Sequence, residues 1–391
     1  MNISTPAQQQ RNPHFDLFKL LLKIRKKAIS FASQNIVLVI AATLAFASCV
    51  VIKPDAKYIE YFDFKTLSCL FCTLAVICAL KNIRFFTITA KKIVTLTGNT
   101  RTLSLALVYI TFIGSMFLAN DMALLTFLPL GYLSLSATGK EKYMAPIFII
   151  QNIAANLGGM LTPFGNPQNL YLYSKFNIPD SEFVTIMFPP FIVAITLITL
   201  LCLVFVKAEP LEIKERAAQL PIPRVIIYLV LFALSILIVF RTIPFIIGLV
   251  VIPIALIFLD REALKSVDYG LLLTFVFFFI FSGNMARIDA VRAFFSWLLE
   301  INTLLFSALS CQVISNVPSA ILLSQFTENY RELLLGVNIG GVGTLIASLA
   351  SLITFKAYTK DQPGHIARYI LKFTAFNVLF FVVLVAFCLI F

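Results

Sequence analysis

Two short polar clusters interrupt an apolar chain, and both are built from residue types that hold ions. The first opens with Asn120-Asp121, and Asp121 is the only acid between Leu103 and Leu135. A carboxylate in so apolar an interval is costly and marks an ion or proton path by default. It can ligate a cation or carry a coupling proton. The cluster continues in Asn156-Leu-Gly-Gly-Met-Leu-Thr-Pro-Phe-Gly-Asn-Pro-Gln-Asn169. Glycine and proline free backbone groups from a helix, and irregular backbone at membrane depth is tolerated only where it lines a cavity or is buried in protein. Freed carbonyls can coordinate a hard cation such as sodium, while a helix N-terminus offers unpaired N–H groups and a positive dipole end to an anion. The candidates here are Asn120, Asp121, Asn156, Gly158, Gly159, Thr162, Gly165, Asn166, Gln168 and Asn169. Sodium is expected near Asn120, Asp121 and Thr162.

The second cluster repeats the first. Ser315-Asn316-Val317-Pro318 stands where Asn120-Asp121 stood, and Asn338-Ile-Gly-Gly-Val-Gly-Thr344 aligns with Asn156 to Thr162, with Asn, Gly, Gly and Thr identical. Its candidates are Ser315, Asn316, Asn338, Gly340, Gly341, Thr344 and Ser348. It is a milder version, without proline in the break, and Val317 takes the place of Asp121. Bland readings stand beside these. Asn120-Asp121 also fits a surface turn between two antiparallel spans. Each flanking arm is roughly 24 Å long as a helix, short for a full crossing. A buried hairpin tip is expected, because the second copy has the same form. The Gly-Gly pairs can also serve close helix contact.

The elements that position these clusters follow from composition. The 391 residues are 60% hydrophobic and 13% charged, about half the charged share of a soluble domain. Apolar runs at 36–52, 66–80, 103–118, 183–206, 225–240, 243–258, 271–282 and 370–391 reach or approach the length of a spanning helix. The N-terminus is basic and amphipathic, with no cleavable signal. The net charge of +12 does not point to nucleic acid, because the basic residues sort by membrane side. With the N-terminus inside, most of the 31 Lys and Arg residues fall in inner loops and the C-terminus ends outside, in the cytoplasmic membrane. The two copies then enter the membrane from opposite faces. Inverted repeats with interrupted helices near the midplane are the mark of secondary transporters.

The expected fold is all-α and integral to the membrane: two inverted repeats, each a re-entrant helical hairpin followed by a broken helix, with about nine full crossings besides the hairpins. The expected division is a cytoplasmic basic segment 1–33, a first repeat 34–207 (hairpin 103–137, broken helix 144–176), a linker 208–221, and a second repeat with linking helix 222–391 (hairpin 302–326, broken helix 333–356). The seven cysteines lie singly in apolar runs, and His14 and His365 lie in basic flanks, so no metal cluster or histidine relay is expected. An intramembrane enzyme would need a nucleophile–base pair or a second buried acid, and none is available. No cofactor is expected beyond a coupling Na+ or H+.

The Thr162 to Asn169 run, both tips and the Gly336 to Thr344 run resemble the ion transporter superfamily, and more closely its citrate-transporter-like and arsenite-permease-like members. The resemblance covers most of the chain from about Ile36 onward. It implies an anion transporter with elevator-type alternating access, moving hairpins and broken helices, and a homodimer. In dicarboxylate members both tips carry Ser-Asn-Thr. This chain has Ala119-Asn120-Asp121 and Ser315-Asn316-Val317, a departure that argues against sodium–dicarboxylate symport and towards proton coupling. The function expected is cation- or proton-coupled transport of a small anion, an inorganic oxyanion or a carboxylate. The alternative is a sodium/proton antiporter without an anion substrate.

Overall fold

A computed structural model describes residues 35–211 and 219–390. The expected basic segment 1–33 and half of the linker, residues 212–218, lie outside the described residues. In chain order the helices are α1 (Ile36–Val51), α2 (Phe64–Asn82), α3 (Phe85–Val94), α4 (Thr100–Gly114), α5 (Asn120–Ala137), α6 (Met144–Gly158), α7 (Pro167–Lys175) and α8 (Asp180–Phe205). After the linker come α9 (Ile222–Val239), α10 (Phe245–Leu259), α11 (Arg261–Lys265), α12 (Tyr269–Ala286), α13 (Asp289–Ile301), α14 (Thr303–Ile314), α15 (Asn316–Leu323), α16 (Tyr330–Ile339), α17 (Leu349–Asp361) and α18 (Ile366–Ile390).

Six described helical segments are long and apolar enough to cross a bilayer: α2, Glu141–Leu161, α8, α9, α12 and α18. Shorter apolar helices α1, α4 and α10 accompany them, and α16 and α17 lie on either side of the second break. Large apolar side chains such as Phe46, Val230, Phe258 and Ile390 are exposed. In water they would be a liability; facing lipid they are the expected surface. Single hydroxyls in these spans are satisfied locally, as Thr196 Oγ1 donates to Ile192 O and Ser235 Oγ to Phe232 O. The protein is an all-helical, multi-pass membrane protein.

The two repeats show in reciprocal contacts. Within each repeat, the first half of the broken helix packs along its own hairpin: α6 on α4 and α5, and α16 on α14 and α15. The second half crosses over, so that α7 packs on α15 and α17 on α5. The same exchange extends to outer helices, with α1 against α12 and α10 against α2. Equivalent helices also begin alike, because the same capping chemistry recurs. Asp63 and Asp268 cap α2 and α12, each accepting at 2.9 Å from the N–H three residues on, Thr66 and Leu271. Asn99 and Asn302 cap α4 and α14 through Thr102 N at 2.9 Å and Leu305 N at 2.7 Å. Each such cap is worth about 1 kcal/mol and fixes where a hairpin starts.

An amphipathic helix precedes each hairpin, α3 before the first and α13 before the second. The bend from α13 into α14 is 120°, as a surface helix turning into the protein requires. Asp289 and Arg292 lie on α13, as expected of an interfacial stretch. Arg287 does not: it pairs with Asp55, Nη2 to Oδ2 at 2.7 Å, and tethers the loop after α1 to the end of α12. The arginine beside Asp55 lowers that carboxyl's pKa.

Candidate ion- and substrate-binding site

Both hairpin tips are buried and meet. Asn120 is 4% exposed and Asn316 is 3% exposed. The first tip is therefore not a surface turn. Four short helices, α5, α7, α15 and α17, begin at this centre, with Asn120, Pro167, Asn316 and Leu349 as their first residues. A cavity of about 110 Å³ lies between them, lined by Asn120, Asp121 and Pro167 from one repeat and Ser315, Asn316, Val317, Pro318 and Leu349 from the other. Its remaining wall comes from the first turns of α1 and α12: residues 35–38, then Asp268, Gly270, Leu271 and Thr274.

Around the cavity the contacts of the half-helices with α2 and α12 are unequal. The half-helices α7 and α15 pack against α2 and α12. Their symmetry partners α17 and α5 make no comparable contact with α12 and α2. A room of this size holds a few water-sized groups at about 30 Å³ each, well below the roughly 300 Å³ of a pocket for drug-sized ligands.

Around the cavity runs a network of buried amides. Asn120 Nδ2 donates to Asn156 Oδ1 at 3.0 Å, joining the first tip to α6 just before its break. Asn166 Nδ2 donates to Asn156 O at 3.1 Å and to Asn338 Oδ1 at 3.3 Å, and Gln168 Nε2 reaches the same Asn338 oxygen at 3.4 Å. Asn338 Nδ2 returns a bond to Asn169 Oδ1 at 2.6 Å. On the other flank, Asn152 Nδ2 donates to Ser351 Oγ at 3.3 Å, and Ser351 and Ser348 share a bond at 3.0 Å. The network ties the two broken helices to each other where they cross. Asp121 Oδ1, Asn166 Oδ1 and Gln168 Oε1 are shut off from solvent and have no donor among the described residues. Lone oxygens in so dry a place are what a cation or a proton would satisfy.

The structure divides the expected site residues into three groups. Asn120, Asp121, Ser315 and Asn316 line the cavity, and Asn156, Asn166, Gln168, Asn169, Asn338 and Ser348 form the shell of bonds behind it. The glycines and threonines have other work. A Cβ on Gly158 would stand 2.1 Å from Phe112 O, and one on Gly340 would stand 2.7 Å from Cys311 Sγ and 2.8 Å from Ala308 O. These glycines let the broken helices touch their hairpins. Gly159 and Gly165 face each other across the first break, a Cβ on Gly165 meeting Gly159 O at 2.4 Å. Gly341 is close to Asn316 and Asn156. Thr162 Oγ1 donates to Met116 O at 2.7 Å, and Thr344 Oγ1 to Gln312 O at 3.1 Å. Both threonines pin a break to a hairpin arm, and neither lines the cavity.

Sequence reasoning missed Asn35, Asp268 and Thr274 in the cavity wall, and Gln312 and Asn152 in its supports. Asp268 reads as an ordinary helix cap; only its match to Asp63 could have drawn notice. Among the described residues no group of three or more His, Cys, Asp or Glu could hold a metal ion. Buried thiols such as Cys69 and Cys72 are core residues.

This architecture, a crossed pair of broken helices braced by two hairpins, is that of a membrane transporter. The citrate transporter family model matches residues 24–329, and the chain belongs to that family. It is 32% identical over 330 residues to an uncharacterized transporter of Methanocaldococcus jannaschii, covering 84% of this chain and 90% of that one. It is also 32% identical over 284 residues to the inner membrane protein YbiR of Escherichia coli, covering 70% of this chain and 74% of that one.

Proposed function

We propose that this chain is a secondary active transporter that carries a small anion, an inorganic oxyanion or a carboxylate, across the cytoplasmic membrane in exchange for the energy of a cation or proton gradient. The meeting of Asp121 with both hairpin tips in one small cavity carries this reading. The N-termini of α5, α7, α15 and α17 direct positive dipole ends at the cavity and favour an anion there. An ionised Asp121 opposes it: two unit charges 4 Å apart repel by about 4 kcal/mol at an effective dielectric of 20. An anion therefore enters well only after a cation or proton has neutralised Asp121, and that requirement is the coupling. The small volume favours a compact anion over a tricarboxylate. By the distribution of basic residues, the wall formed by the starts of α1 and α12 lies towards the cytoplasmic side.

The test is reconstitution of the Asp121→Asn variant. Anion uptake into proteoliposomes should lose its dependence on the ion gradient while the protein still inserts. Gradient-driven uptake equal to that of the unaltered protein would reject the assignment. The substrate is best sought by thermal unfolding against a panel of anions, since a ligand that binds the folded state raises its apparent stability.

A second reading, a sodium/proton antiporter without an anion, draws on one observation. The described cavity wall holds two carboxylates, Asp121 and Asp268, and no Lys, Arg or His. Sodium-dependent proton release that needs no anion would favour it.

A further inference from the structure

The cavity wall combines residues of a hairpin tip and of the start of α12. Asp121 sits on a hairpin that packs with the broken helices. Asp268 sits at the start of α12, which packs with α1. We propose that Asp268 is a second acid of the site, giving its carboxylate to an alkali cation held by Asp121. The inference rests on reading this cavity as the coupled transport site.

Three observations support it besides the shared cavity. First, Asp121 Oδ1 is buried without a donor among the described residues, an acceptor in want of a positive partner. Second, Asp268 is held by Leu271 N through Oδ1 alone in its own first turn. At the equivalent Asp63, Thr66 Oγ1 occupies the second oxygen at 2.5 Å; the residue matching Thr66 is Leu271, which has no hydroxyl. The inner acid thus keeps an oxygen that its outer twin has committed. Third, Gly270 leaves the mouth clear. A Cβ there would stand 2.8 Å from Asn35 Oδ1 and 3.2 Å from Asp268 Oδ1, pushing between two polar groups of the wall. Carboxylate, amide and hydroxyl oxygens from Asp121, Asp268, Asn120 and Thr274 make a hard donor set suited to a hard cation.

The experiment is a sodium chloride titration of the purified full chain, followed by thermal unfolding, with choline chloride holding the ionic strength constant. Asp268→Asn keeps a capping acceptor and removes only the charge, so unfolding without sodium should be nearly unchanged. Its half-saturating sodium concentration should rise about tenfold. Asp121→Asn should lose the sodium response, and Asp63→Asn should titrate like the unaltered protein. The proposal is overturned if Asp268→Asn also titrates like the unaltered protein, or if Asp63→Asn shifts as far as Asp268→Asn does. It is overturned too if the unaltered chain gains nothing from sodium, lithium or potassium. In that last case the Asp121 transport assay still decides the broader reading on its own.

Discussion

The two helix breaks meet the same difficulty with parts drawn from different elements. Ending a helix at depth leaves carbonyls without partners, and no water is there to take them. In the first break Asn169, on the half-helix that follows, donates to Gly159 O at 3.3 Å, Met160 O at 3.2 Å and Thr162 O at 3.2 Å. In the second break the matching residue is Ser351, too short for that reach. Gln312, on the hairpin arm, donates instead to Gly340 O at 2.9 Å and Val342 O at 3.1 Å, and accepts from Thr344 N at 2.8 Å. The residue matching Gln312 in the first repeat is Met116. Each repeat thus has one brace, and where one copy has an amide the other has none. Beyond the threonine that pins each break to its hairpin arm, the amide brace of the first break comes from its own helix and that of the second from its hairpin. Gly343 shows the tightness of the second lock: its φ is +134°, and a Cβ would stand 2.1 Å from Gln312 Oε1.

The largest test of this comparison is steric. Gly158→Ala sets a Cβ against the Phe112 backbone and should cost about 3 kcal/mol or more. Gly340→Ala meets a cysteine side chain first and should cost less, about 1–3 kcal/mol. Equal losses of unfolding temperature would mean that the breaks are not seated differently. Next come the braces. Asn169→Ser and Gln312→Leu each orphan buried carbonyls, at about 1–3 kcal/mol per group left unmade. Adding Met116→Gln to Asn169→Ser rebuilds the second repeat's brace in the first and should recover at least half of the lost stability. No recovery would show that the braces are not interchangeable.

The smallest effect lies at the surface, where the loop after α8 grips the base of the first hairpin. Glu209 accepts from Lys140 Nζ at 2.7 Å, Lys142 Nζ at 2.5 Å and Tyr143 Oη at 2.6 Å. These bonds, that of Lys140 foremost, hold its carboxyl at about 2, below the ordinary glutamate value of about 4.3. A lowered value means stability that is complete above the ordinary range and is lost as pH falls towards the folded value. Glu209→Gln should lower the unfolding temperature by at most about two degrees at neutral pH. The difference should vanish as pH approaches the folded value, and a gap that persists there would separate the loss from ionisation. The second repeat has no matching cluster among the described ion pairs.

The sequence by itself determined the membrane, the two copies, the hairpins and the four amide-rich stretches, because each rests on local composition. Apolar length needs a bilayer, glycine and proline break helices, and an isolated acid in an apolar run is expensive. It could not say which polar residue faces ligand and which faces backbone. Thr162, Asn169 and the glycines carry the chemistry of ion ligands, yet they serve the breaks, because the nearest unsatisfied carbonyl is on their own chain. Gln312 looked ordinary because the carbonyls it braces lie beyond its own helix, at the second break, and Asp268 because its one side-chain bond among the described residues is the cap of its own first turn. Only the tertiary structure, by crossing α7 over α15 and α17 over α5, decided that Asp121 shares a cavity with both tips and with a helix cap.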